Sequence, residues 1–238
     1  MRPDETAFPL EARVRSYLAV NCAQCHRSGG TASPSAWDGR SELTLDQTGL
    51  INGLANNNLG NPTNRLIVPG DTFHSVVWNR IAATNGFSRM PPLGTSELDQ
   101  VNIALLSDWI TQALPTRQTF PTWQMFWFGS TNAANAVATA DPDGDVRSNR
   151  EEFVSGTNPL NEDGGLQSLA TVSEGVVSIT LNLPPDRSAQ IDASTDLINW
   201  NLWDVPGNSG MPTTGGGFSI SGSATNAQQF FRVRLWEN

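Results

Sequence analysis

Cys22 and Cys25 stand two residues apart and His26 follows at once, so both cysteines of the chain and one of its two histidines fall within five residues, Cys22-Ala23-Gln24-Cys25-His26. Two thiols spaced this way on a helical turn reach the two vinyl groups of one porphyrin, and the adjoining imidazole then lies under the iron. A redox dithiol shares the spacing but expects a βαβ setting, and a zinc site needs two further ligands nearby. Neither is offered by the surrounding sequence. Covalent attachment of one haem at Cys22, Cys25 and His26 is the reading these residues favour, and no thiol is left for a structural disulfide.

The sixth ligand decides whether such an iron carries electrons or binds small molecules. Of the four methionines, Met1 is terminal, Met125 lies in an aromatic stretch and Met211 in a β-rich region, which leaves Met90. It precedes Pro91 and Pro92, which stiffen the backbone and keep a helix from starting early. A methionine filling a gap in the core is the ordinary alternative. His74 is the rival ligand, but the polar turn Pro69-Gly70-Asp71-Thr72-Phe73-His74-Ser75 reads as exposed. The expected iron ligands are therefore His26 and Met90.

A second group of residues suits a hard cation. Asp141, Asp143 and Asp145 alternate, and Glu152 falls eleven residues after the first, the offset at which a calcium loop places its bidentate glutamate. Arg147 would offer its backbone oxygen, and Asn149 would ligate directly or through water. The chain has a net charge of −9, and residues 141–163 alone hold seven acids and two arginines. More than half of the excess thus sits where a bound cation would neutralise it, so the bulk charge says little about partners. A solvated acidic linker is the plain alternative. Val146 departs from the pattern: glycine usually follows the third aspartate, so the turn here is expected to be strained.

Three segments must carry these groups. Residues 1–117 read as helices joined by long loops, with Leu10, Val14, Tyr17 and Leu18 on one helical face running into the cysteines. Ser96 and Asp99 suggest a capping box for a last helix bearing Leu98, Val101, Leu105 and Trp109, which Pro115 stops. Between them the loops are rich in Gly, Asn and Pro, as in residues 56–62, and need something besides helices as their core. Residues 118–164 read as a connector: an uncharged aromatic stretch followed by the acidic loop. Residues 165–238 alternate as strands do at 176–183, 189–192, 218–221 and 230–235. Trp200, Trp203 and Trp236 in that region read as core rather than as a sugar site.

Residues 10–114 resemble the small class I-like c-type cytochrome domains of planctomycete and verrucomicrobial periplasmic proteins. The matching stretches are Asn21 to His26, Ile67-Val68-Pro69-Gly70-Asp71 with Ser75 to Ile81, and Arg89-Met90-Pro91-Pro92-Leu93-Gly94 leading to the Trp109 helix. The resemblance implies His/Met ligation and electron transfer. It also implies a redox protein as partner, since such domains are often fused to, or paired with, dehydrogenases that oxidise sugars or alcohols with a quinone cofactor. The 141–159 stretch resembles the calcium loops of thrombospondin type 3-like repeats, and Ala193 to Trp200 with Phe230-Phe231-Arg232 resembles β-sandwich domains that end many verrucomicrobial secreted proteins.

The expected architecture is therefore multidomain: an all-α cytochrome c fold, a calcium-loop connector and a small all-β sandwich. The expected function is one-electron transfer without bond chemistry on a substrate, with haem c and Ca²⁺ as cofactors. The alternatives are a haem enzyme or sensor with an exchangeable sixth ligand, and an adhesion or structural role for the C-terminal half. Nucleic acid is disfavoured, because all fourteen basic residues are arginines spread along an acidic chain. No apolar run reaches the roughly twenty residues of a membrane helix. The resemblance implies that haem is attached outside the cytoplasmic membrane, as in that family's biogenesis, so a periplasmic or extracellular location is expected. The opening residues lack the apolar core of a secretion signal, so either a signal has been removed or the chain is a piece of something longer.

Overall fold

The computed structural model describes residues 1–238 except 33–34, 36, 93–95, 163–164 and 224–227. Leu93 and Gly94 of the stretch after Met90, and Gly164 at the expected end of the connector, lie outside the described residues. The chain divides into two compact units, Met1–Arg117 and Gln118–Glu237.

In the first unit, helix α1 (Leu10–Cys22) buries Val14 and Leu18 one turn apart and ends at the first cysteine. Glu11, on its first turn, is fixed by Arg117 across 3.0 Å, with both side chains nearly buried. Helix α2 (Val76–Ile81) buries Val76, Val77 and Ile81, and the Trp78 indole N–H donates to Ile103 O at 3.2 Å, which ties it to α3 (Gln100–Asp108). Asp99, not Ser96, caps α3, accepting from Asn102 N–H at 3.1 Å. The helix consequently starts late: Val101 is exposed, while Leu105 and Trp109 are buried as expected and Ile103 and Leu106 are buried with them. A π turn (Trp109–Ala113) and a 3-10 turn (Leu114–Thr116) continue it. Val14, Leu18, Trp37, Ile67, Leu106, Trp109 and Ile110 form one apolar cluster. Truncating a fully buried member such as Leu106 to alanine costs about 2–5 kcal/mol.

The expected all-α first domain is overturned. The helices of this unit have 13, 6 and 9 residues. The long stretch between α1 and α2 is instead closed by isolated β-bridges, Ile51 to Ile67, Leu54 to Arg65, Arg65 to Ser75 and Val68 to Asp71. Glycine, asparagine and proline there disfavour continuous helix, and backbone groups that cannot enter a helix must pair elsewhere. With six strands in two antiparallel sheets further on, the chain as a whole mixes α and β structure.

In the second unit, α4 (Phe120–Phe128) and α5 (Asn149–Ser155) are each opened by a hydroxyl capping box, at Thr119 and Ser148, and closed by a left-handed glycine, Gly129 and Gly156. Trp123 and Phe153 pack edge to face with centroids 6.0 Å apart. Strands β1 (Ser168–Ser173), β2 (Val176–Leu183) and β5 (Gly216–Ser223) form one sheet in the order β1-β2-β5. Strands β3 (Arg187–Ser194), β4 (Asn201–Leu202) and β6 (Phe230–Glu237) form the other in the order β4-β3-β6. Val177, Ile179, Leu181 and Leu183 alternate inward along β2 and meet Ile191, Trp203 and Ile220 in an apolar layer fed by both sheets. The 141–159 loop and α5 thus belong to the same compact unit as the sheets.

Candidate functional site

The last turn of α1 carries the chain into the cysteines: Cys25 N–H and His26 N–H both donate to Cys22 O, at 3.0 and 2.8 Å. Cys22 and His26 line a cavity of about 330 Å³, and the same cavity is lined by Met90, which lies 64 residues after His26. That volume is within the range of about 300–1,000 Å³ usual for ligand sites. Tyr17, Trp37, Leu66, Val76, Val77 and Ile81 give it an apolar wall, and Arg80 brings a cation to it. Cys25 is half-buried but does not line the cavity. His74 and Arg89 do not line it either: His74 Nδ1 lies 2.5 Å from Asp71 Oδ2, and Arg89 donates to Glu97 O.

Burial, and then the neighbouring Cys25, push the Cys22 thiol up to about 12. A thiol so held is neutral at ordinary pH and is a poor redox nucleophile. Burial, and then the Arg80 charge, lower the pKa of His26, which keeps its imidazole neutral and able to ligate a metal. Its Nδ1 is buried with no hydrogen-bond partner among the described residues. Arg80 also anchors the Met90 part of the lining. Its O accepts from Met90 N–H at 3.1 Å and its guanidinium donates to Ser88 O at 3.1 Å, which fixes the chain leading to Met90 onto α2.

The acidic loop is shaped by its own backbone. Asp141 accepts from Gly144 N–H at 2.8 Å and Val146 N–H at 3.0 Å, Asp143 from Asp145 N–H at 3.3 Å, and Asp145 from Arg147 N–H at 2.9 Å. One oxygen from each of Asp141, Asp143 and Asp145 lies within 4.8 Å of the others. Asp143 Oδ2 and Asp145 Oδ2 are buried and receive no hydrogen bond among the described residues. Asn149, wholly buried, donates through Nδ2 to Asn135 O and Val137 O at 2.8 Å, and its Oδ1 is likewise buried without a donor. Glu152 is buried on α5 outside the aspartate group and accepts from Thr157 Oγ1 at 3.5 Å. Val146, 93 % exposed, has φ +70°, a left-handed conformation that a β-branched residue adopts only under strain.

Sequence reasoning missed Trp37 as a member of the site. The only available signal was a tryptophan eleven residues after His26, and nothing in that spacing says that the chain turns back. No helix among the described residues is long and apolar enough to cross a membrane. Comparison with family models, with curated proteins and with solved structures found no match.

Proposed function

We propose that this protein is a one-electron carrier bearing a single haem attached through Cys22 and Cys25, with His26 and Met90 as iron ligands. The observation that carries the reading is that one apolar cavity gathers Cys22, His26 and Met90 from distant parts of the chain. A haem bound there supplies an iron that alternates between the ferrous and ferric states. His26 offers a neutral imidazole, and Met90 a thioether of the kind that favours the reduced state. Leu66, Val76, Val77 and Ile81 exclude water from the cavity, and Arg80 holds the Met90 segment in place while adding a positive charge suited to a carboxylate. Among the described lining residues there is no carboxylate and no second imidazole to serve as a distal acid or base, which favours a carrier over a peroxidase-like enzyme. Replacing Met90 by alanine tests the ligand assignment: carbon monoxide should bind the ferrous variant and hardly bind the parent. Equal binding by both would remove Met90 and favour the exchangeable-ligand reading.

The second cofactor in this proposal is Ca²⁺, held by Asp141, Asp143, Asp145, Asn149 and the Arg147 carbonyl, with Glu152, which stands outside the aspartate group, closing in on the bound ion to complete the set. The buried, donor-free oxygens of Asp143, Asp145 and Asn149 support it, because acceptors in that state are stabilised by a cation. Isothermal titration of the chelator-treated chain with calcium should show one binding event that magnesium reproduces poorly; no heat would return the loop to a solvated linker. A periplasmic or extracellular dehydrogenase as electron donor belongs to the same proposal and rests on the sequence resemblance alone.

A further inference from the structure

A metal-ligating histidine ordinarily donates its second ring N–H to a carboxylate, a carbonyl or water, which sets the ring orientation and makes the imidazole a stronger donor. His26 departs from this: Nδ1 is buried and has no acceptor among the described residues. A buried donor left this way calls for an explanation. The face of the imidazole is covered by Trp37, whose ring is stacked on it with centroids 4.7 Å apart and planes 25° from parallel. Trp37 is itself buried, and the two residues after it are tied down. Asp38 N–H donates to Thr48 O at 2.8 Å, and Gly39 N–H donates to His26 O at 2.8 Å. The return is close at Gly39: a Cβ there would come within 3.2 Å of the Trp37 ring and 3.3 Å of the Ala23 backbone, so a side chain would have to push the ring or the turn aside by a few tenths of an ångström. The backbone after Trp37 is thus tied to the Cys22–His26 turn, which places the buried indole on the imidazole.

Resting on the haem reading above, we propose that Trp37 is the positioning residue for the His26 ligand. Its stacked ring fixes the imidazole in place of an acceptor on Nδ1, and its bulk is part of the packing that leaves Nδ1 buried. The imidazole is then a weaker donor than one hydrogen-bonded through Nδ1, so the arrangement favours ferrous over ferric iron.

The test uses the full chain carrying its covalent haem, with Trp37→Leu and Trp37→Phe beside the parent. Leucine leaves room for water at Nδ1, so at a fixed ambient potential the ferrous-to-ferric ratio should fall about tenfold, a shift of ~59 mV for one electron. Phenylalanine keeps a ring on the imidazole and should return most of that shift. In the parent, the His26 ring N–H should exchange slowly with solvent by NMR of the ferrous form. That measurement needs no variant to fold. Parent-like potentials in both variants, or rapid exchange in the parent, would overturn the role of Trp37 while leaving the haem reading intact. A parent chain that carries no haem would overturn both.

Discussion

The two units solve opposite problems with their polar groups. Around the cavity the chain supplies few donors, a thiol, an imidazole and a thioether, within an apolar wall. In the acidic loop the chain supplies many oxygens, and backbone N–H groups already shape the loop around them. On the proposed reading, a haem in the first place would add to the core, whereas calcium in the second would neutralise charge. Losing the first should therefore remove structure, and losing the second should only weaken it.

The largest expected effect follows from that difference. A Cys22→Ser, Cys25→Ser double variant should lose covalent haem and with it the cooperative thermal transition of residues 1–117, while circular dichroism of the β-rich unit persists. A sharp transition of unchanged midpoint in the first unit would show that Val14, Leu106, Trp109 and their neighbours suffice as a core. Calcium removal ranks second. With calcium a hundredfold above its dissociation constant, chelation should cost the second unit about 2.7 kcal/mol. Differential scanning calorimetry with and without chelator reads this directly. A shift in the first unit's transition instead would place the cation elsewhere.

Smaller effects sharpen the comparison within the second unit. Val146→Gly should stabilise the loop by about 1 kcal/mol, because the left-handed backbone conformation costs a β-branched residue roughly that much. Urea unfolding of both proteins measures the difference, and a less stable variant would show that the valine is accommodated without strain. Where the same unit neutralises a carboxylate with arginines, acid is the probe. Burial pushes the Asp192 carboxyl up, but hydrogen bonds from Arg234 and Arg232, at 2.8 and 2.9 Å, outweigh it and leave the carboxyl below its usual range. A lowered folded value means the stabilisation is present above the unfolded value of about 3.9 and is lost as pH falls through the folded one. Asp192→Asn should flatten that acid limb of the stability curve; an unchanged limb would assign it to other carboxylates.

What the sequence disclosed depended on how local each feature is. Cys22, Cys25 and His26 occupy one turn, so the proposed attachment can be read from their spacing without knowledge of the fold. The alternation of β2 was legible because Val177, Ile179, Leu181 and Leu183 face one layer, whereas β1 escaped notice because all six of its residues are exposed and leave no period. The all-α expectation for the first unit failed because bridges such as Ile51 to Ile67 depend on distant partners. The start of α3 differs from the expected one because both Ser96 and Asp99 are residue types that cap helices, and it is the Asp99 carboxylate that accepts from the first turn. Trp37 was hidden for the same reason as the bridges: its meaning lies in the return of the chain onto His26.

The central claim is covalent haem, and one measurement addresses it before any other. The chain should be exported to a bacterial periplasm together with a c-type haem attachment system, purified, unfolded and extracted with acidified organic solvent. The account predicts one haem per chain retained on the polypeptide, with a c-type pyridine haemochrome spectrum. A colourless chain, or a haem that leaves with the solvent, would contradict it.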